Sequence, residues 1–222
     1  MENPLYIGLG GVAGSGKDTF YSYLKKELNK KEIKIIRYSF GDELKREVNR
    51  WTTAHYDIDS LKCSREEKEM IRPLLIAHGT IKRKKSNGQY WIKKVTERIN
   101  REKEIKALNP HGEKLDIICI TDVRYNHYDN DEVTWVKKQH GVLIYVERLV
   151  KDQDTIGLRH GLKPQNPEEI THDPKVKAEA DYIATIKDVE EFQIPDVFQK
   201  EIKKLIKWIK EEGGPEWTNL LT

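Results

Sequence analysis

The residues best placed to do chemistry lie close to the start of the chain. Gly11-Val12-Ala13-Gly14-Ser15-Gly16-Lys17 carries the spacing G-x4-G-K, the first seven positions of the Walker A phosphate-binding pattern. The chemistry that asks for this order is anion binding. Glycines let consecutive backbone N–H groups curl around a phosphate, the helix that follows adds its positive end, and Lys17 reaches the outer phosphates. Gly11, Ala13, Gly14, Ser15, Gly16, Lys17, Asp18 and Thr19 are therefore the candidate ATP-binding residues. Walker A ends in Ser or Thr, whose hydroxyl meets Mg²⁺. Here Asp18 follows the lysine and Thr19 comes one position later.

Two other readings of the same residues compete. Gly8-Leu9-Gly10-Gly11-Val12-Ala13 also fits the dinucleotide fingerprint G-x-G-x-x-A. That frame would start the helix near Gly10 and carry Gly14 and Gly16 through its first turns, at about 1 kcal/mol each against alanine. It also wants an acidic residue closing the second strand, where this chain has Arg37-Tyr38-Ser39. The remaining alternative is a glycine-rich turn with no ligand. The strand-then-helix context favours the phosphate loop.

In a parallel α/β sheet, ligands sit beyond the carboxyl ends of the strands, so charged residues at those ends are the next candidates. Asp122 follows an apolar run and has the setting of a Walker B carboxylate holding Mg²⁺ or its water shell; a loop-capping Asp is the alternative. With Asp18 and Thr19 it makes the candidate metal set. Arg124, two residues on, could give a phosphate bidentate contacts or form a surface ion pair. Asp18 reads as a Mg²⁺ organiser, a neighbour of the acceptor phosphate or a plain helix-start acid. Asp42 and Lys45 follow the second strand and Arg148 the fourth. Arg148 and Arg159 flank or lie in a long polar stretch, from which a closing segment would bring cations to the transferring phosphoryl group and exclude water. The basic turn Lys82–Lys85 reads as a solvated charge run, with Arg83 its member placed to reach an acceptor phosphate. His78, His127, His160 and His172 have no metal-ligand spacing.

The elements that must position these groups alternate. Leu5–Leu9 reads as the first strand, and Phe20, Leu24 and Leu28 mark one face of a helix from Lys17 to before Lys30. Residues 33–38 read as a strand, and Ser39 begins a helix with acids in its first turn. Residues 51–64 are irregular; helices follow over 65–78, closed by Gly79-Thr80, and over 90–100. Strands follow at 115–120, 141–146 and 180–185, with a helix over 126–138 between the first two and a closing amphipathic helix on Phe198, Ile202, Leu205, Ile206 and Ile209. Residues 150–177 lack periodicity and read as a long loop or lid. The expected fold is α/β: a P-loop NTPase with a five-stranded parallel sheet and helices on both faces. It is read as one domain, with a core over about 1–50, 114–149 and 178–222, an all-helical insertion over 51–113 that could be a simple cap on the sheet, and a lid over 150–177.

Composition narrows the function classes. Forty basic against 37 acidic residues leave a net charge of +3, too balanced to argue for nucleic-acid or membrane binding. Cys63 and Cys119 are isolated and complete no metal site, and a reducing compartment follows. No apolar run approaches the ~18 residues of a membrane span, and the expected location is the cytoplasm. The 90–100 helix and five tryptophans leave room for a homodimer.

Taken together, these blocks resemble the bacteriophage-type deoxynucleoside monophosphate kinases. Ser15-Gly16-Lys17-Asp18-Thr19 is similar to that family's phosphate loop, its unusual Asp included. Phe40-Gly41-Asp42-Glu43-Leu44-Lys45 resembles the segment after its second strand. Arg72-Pro73-Leu74-Leu75, Gly79-Thr80, Arg83 and Tyr90-Trp91 follow the order of its acceptor-binding insertion. Asp122-Val123-Arg124 resembles its D-x-R motif, and Val146-Glu147-Arg148 its strand-end arginine. The resemblance implies a nucleoside monophosphate kinase fold that uses ATP and Mg²⁺ to convert a dNMP to its diphosphate. It implies catalytic roles for Lys17, Asp18, Asp122 and Arg148. Asp42, Lys45, Arg72, Arg83 and Arg124 would hold the acceptor, with Tyr90 or Trp91 offering a ring to the base. Ile76 stands where that family usually has Gln, and Tyr128 where it usually has Glu, which bears on the nucleobase. The competing functions are a related P-loop kinase of phosphomevalonate or dephospho-coenzyme A type, and a nucleotide-dependent ATPase or switch. The last lacks an N-K-x-D base-reading motif and a basic-aromatic surface.

Overall fold

A computed structural model describes residues 4–107, 115–151, 159–164, 167–189 and 191–221. The chain divides into two compact units: Met1–Arg37, Lys114–His127 and Glu132–Thr222 form the first, Tyr38–Glu113 and Tyr128–Asp131 the second.

The first unit is built on a sheet whose strands are near-continuous apolar runs, as strands covered on both faces must be. β1 (Leu5–Gly10) lies at its centre between β3 (Ile117–Val123) and β4 (Val142–Lys151), parallel to both. β2 (Ile35–Tyr38) flanks β3, and β6 (Tyr182–Lys187) runs parallel to β4 on its far side. This is the expected five-stranded parallel sheet. A sixth strand is added to it. β5 (Arg159–Gly161) pairs antiparallel with the end of β4, where Leu149 partners Gly161 on one edge and Lys187 of β6 on the other. That places β5 on the β1 side of β4, beyond the end of β1, and brings Leu162 to the phosphate loop: a Cβ on Gly14 would lie 3.5 Å from its Cδ2.

Alternation along the strands sorts the helices. Ile7, Leu9, Ile117, Cys119, Ile144 and Val146 face α1 (Lys17–Asn29), α7 (Ile194–Glu212) and α8 (Pro215–Leu221), which bury Phe20, Leu24, Ile202, Leu205 and Trp217 against them. On the other face, a Cβ on Gly8 would meet Val136 of α5 (Glu132–Lys138) and Leu143 at 3.1 and 3.2 Å. A Cβ on Gly10 would meet Val176 of α6 (Pro167–Ala178) at 2.8 Å. The region expected to lack periodicity thus holds a strand and a helix. The expected helix over 126–138 begins only at Glu132.

Among its described residues the second unit holds three helices, α2 (Phe40–Tyr56), α3 (Arg65–Lys85) and α4 (Gln89–Ala107). Ser39 caps α2 by accepting from Asp42 N–H at 3.2 Å, and Ser64 with Glu67 forms a capping box on α3. α2 extends six residues into the stretch expected to be irregular, closing at Asp57 in the left-handed region. α3 does not stop at Gly79. Glycine there is a close-approach residue, since a Cβ would lie 3.2 Å from Leu44 Cδ2 of α2. Val48, Ile58, Ile71 and Leu75 make the small core, and the Trp91 indole donates to Gly79 O at 3.3 Å.

Candidate active site

The phosphate loop joins the end of the central strand to α1, and its backbone follows the glycines. Gly11 has φ 136°, where a Cβ would stand 2.5 Å from Val146 O; Gly16, the N-cap of α1, has φ 94°. Gly16 offers no side chain, so α1 has no side-chain cap, unlike α2 and α3. The first amides of a helix have no partner within it, and Phe20 is the first here to donate back, to Gly16 O at 2.8 Å. The sequence leaves this helix end open to an anion where it closes the other two.

Lys17 lies on the first turn of that helix and is buried. Its ammonium donates to Gly11 O at 2.6 Å and Val12 O at 2.8 Å, and lies 3.5 Å from Ser15 Oγ. Burial and then the Arg124 guanidinium pull its pKa down from 10.5 to about 8, against the opposing charges of Glu169, Asp122 and Asp18. Asp18 and Thr19 are exposed, and Asp18 lies 3.5 Å from Arg37. Asp122 is half-buried near the end of β3.

Around the loop the structure brings together groups that the sequence did not single out. Glu169, on the first turn of α6 and 8% exposed, accepts from Ala13 N–H at 3.1 Å. Its same oxygen lies 3.8 Å from Arg124 Nη1. The Arg124 backbone N–H donates to Glu132, which is buried on α5, at 2.8 Å. Tyr145 OH donates to Asp173 at 2.5 Å. Burial and then Glu169 raise the Asp173 carboxyl, against the lowering effect of the Tyr145 bond and of Lys17 and Lys177. Arg124, Tyr125, Glu168, Glu169 and Asp173 line a small open cleft. The sequence cue for Glu169 was Pro167-Glu168-Glu169, a proline followed by acids at a helix start.

The other predicted residues are dispersed. Arg148 pairs with Asp188 through two of its nitrogens. Arg159 is placed by its backbone in β5, and its side chain lies outside the described residues, as does part of the span read as a lid. The remaining acceptor candidates belong to the second unit. Lys45 meets Asp42 at 3.4 Å, and Arg72 forms a fork with Glu69 at 2.6 and 2.5 Å. Arg83 is buried in a bidentate pair with Asp131, which also accepts from Tyr128 N–H. Trp91 is buried. Tyr90 OH donates at 2.6 Å to Glu47, a carboxylate that also gathers His78 and Lys82. Among the described residues no three His, Cys, Asp or Glu side chains cluster to hold a metal ion.

An open helix end, a glycine nest and a buried lysine at the centre of a parallel sheet define a phosphate-binding loop, which the family profile assigns to a P-loop small-molecule kinase. The chain belongs to the phosphomevalonate kinase family, whose sequence profile matches residues 9–141, more than half of its length and the whole loop from Gly11 onward. No curated protein sequence matches it. Solved structures similar to it include TT1252 from Thermus thermophilus, at 12% identity and TM-score 0.45 over 92% of this chain and 98% of that one. They also include shikimate kinase from Bacteroides thetaiotaomicron, at 12% identity and TM-score 0.40 over 91% and 98%. No helix among the described residues is long and apolar enough to cross a membrane.

Proposed function

We propose that the protein transfers the terminal phosphoryl group of ATP to the phosphate of a small organic monoester, with a deoxynucleoside 5′-monophosphate as the acceptor. The observation that carries the reaction is the uncapped start of α1 beside Lys17, whose ammonium is held on loop carbonyls and meets no carboxylate directly among the described residues. ATP fits this donor set: loop and helix amides for the inner phosphates, Lys17 for the outer ones. Mg²⁺ takes few protein ligands and shares phosphate oxygens, which fits the exposed Thr19 hydroxyl and the Asp122 carboxylate better than a closed metal cage. Bound there, the ion would neutralise charge on the transferring group. An acceptor that is already a phosphate needs cations and no strong base.

The deoxynucleotide reading rests on the order of blocks from Arg72 to Trp91 and on Asp122-x-Arg124. A second reading, a phosphomevalonate-type acceptor, is favoured by the family profile. A coupled ADP-release assay with product chromatography decides between them, run over dNMPs, NMPs, phosphomevalonate and dephospho-coenzyme A. Turnover of a dNMP is the expected result. Turnover of phosphomevalonate alone would overturn the choice of acceptor, and ATP hydrolysis without any transfer would overturn the kinase.

A further inference from the structure

We propose that Glu169 is a positioning residue of the phosphate loop, one buried carboxylate that holds the Ala13 edge of the nest and faces the Arg124 guanidinium. The inference rests on the P-loop kinase reading and is independent of which acceptor is used.

Three observations carry it. The first is the shared oxygen: Glu169 Oε1 accepts from Ala13 N–H at 3.1 Å and faces Arg124 Nη1 at 3.8 Å. Ala13 is part of the G-x4-G-K stretch, so α6 reaches directly into the loop that must hold phosphate. The second is that α6 is itself held down along its length. Asp173 accepts from Tyr145 OH at 2.5 Å, Lys177 donates to Glu147 at 2.5 Å, and Val176 is fully buried where a Cβ on Gly10 would come within 2.8 Å. Glu169 is therefore presented by a helix packed on the ends of β1 and β4. The third is electrostatic. A buried carboxylate beside a polyphosphate site opposes the ligand unless its charge is taken up locally. Arg124, 3.8 Å away and half-exposed, offsets part of it, its own backbone tied to Glu132 at 2.8 Å.

This arrangement gives Glu169 two effects that a purely structural contact lacks. It satisfies one loop amide permanently, so the nest keeps its shape when empty, and it presets a cation at the edge of the cleft. Preorganised donors cost no rearrangement when charge arrives.

The test compares Glu169→Ala, Glu169→Gln and Val176→Ala with the wild type in the full chain. Mg-ATP affinity is read by calorimetry and folding by thermal melts. Glu169→Ala is expected to weaken Mg-ATP binding about tenfold, the scale of one lost charge-assisted hydrogen bond. Glu169→Gln is expected to stay within about threefold, since its amide oxygen can still accept from Ala13. Val176→Ala loosens α6 without touching the carboxylate, and should lower the melting temperature while leaving affinity within about twofold. Adding Arg124→Ala to Glu169→Ala should cost less than the two single changes multiplied together. Unchanged or tighter Mg-ATP binding in Glu169→Ala with a native-like melt would overturn the proposal, the tighter case showing that the carboxylate obstructs the loop. So would an affinity loss in Val176→Ala equal to that in Glu169→Ala. Wild-type protein that binds no Mg-ATP at all would instead refute the kinase reading on which this rests.

Discussion

Lys17 makes two opposite demands on the protein, and pH separates them. The unfolded chain holds the Lys17 proton up to 10.5, whereas in the folded chain burial brings the group down to about 8. Between those values the unfolded state binds more protons, so the contribution of Lys17 to folding stability rises with pH. At 1.36 kcal/mol per pH unit the gap of about 2.5 units amounts to roughly 3 kcal/mol in full. Between pH 7 and 9.5, the range open to experiment, it amounts to about 2 kcal/mol. Lys17→Met removes the titration and retains the length of the side chain. The wild-type stability minus that of Lys17→Met, from urea denaturation without nucleotide, should therefore climb by about 2 kcal/mol over that range. Subtracting the variant cancels the other lysines. Mg-ATP binding should move the opposite way, because phosphate needs the charged ammonium: affinity should be flat below about pH 8 and fall by up to about tenfold per pH unit above it. A stability difference that stays flat within about 0.5 kcal/mol, with ATP affinity flat to the same pH, would refute the reasoning. It would mean that the Gly11 and Val12 carbonyls compensate the ammonium fully for lost water.

Other substitutions test the frame around the lysine. Gly11→Ala should destabilise the protein by about 2–4 kcal/mol, from a strained φ and a Cβ driven into the Val146 carbonyl; an unchanged urea midpoint contradicts it. Arg83→Ala should cost about 3–5 kcal/mol, because Asp131 is left buried without its cation; urea denaturation measures this, and a loss under about 1 kcal/mol argues against it. Arg148→Ala breaks a half-exposed pair with Asp188 and should change stability by no more than about 1 kcal/mol. Its effect on turnover at saturating acceptor then reads any contact with the transferring phosphate, and unchanged turnover removes Arg148 from the catalytic set.

The sheet and the loop were legible because their signals are local. Leu5–Gly10 and Ile117–Val123 are short apolar runs, and G-x4-G-K fits no packing purpose as well as it fits an anion. α6 was hidden for a physical reason. Of its twelve residues only Glu169 and Val176 are buried, so no apolar stripe at helical spacing exists to be read, and Pro174 sits inside it. It docks through polar groups and one valine, which periodicity cannot detect. Gly79 misled in the opposite sense: a glycine that lets α2 and α3 approach looks, in sequence, like one that ends a helix. Partners far apart in the chain had no cue either. Arg83 and Asp131 are 48 residues apart, and nothing near either predicts the pair.

The same ion pairs sort the acceptor candidates of the second unit. Lys45, Arg72 and Arg83 each already hold a carboxylate, Asp42, Glu69 and Asp131 respectively. A cation can bind an acceptor phosphate only by leaving or sharing that partner, so the cost of leaving decides its role. Arg72 and Glu69 are both well exposed, and exposed pairs are weak and readily exchanged. Lys45 and Asp42 meet at 3.4 Å, a loose contact for charged groups. Arg83 lies 7% exposed on an Asp131 that is wholly buried, and pulling it away would strand a charge in the interior. Arg72→Ala and Lys45→Ala are therefore expected to raise the acceptor KM without altering the melt, while Arg83→Ala should lower the melt first. If Arg83→Gln folded as well as the wild type and lost only acceptor affinity, the ordering argued from burial would be wrong, and Arg83 would be a direct ligand of the acceptor phosphate.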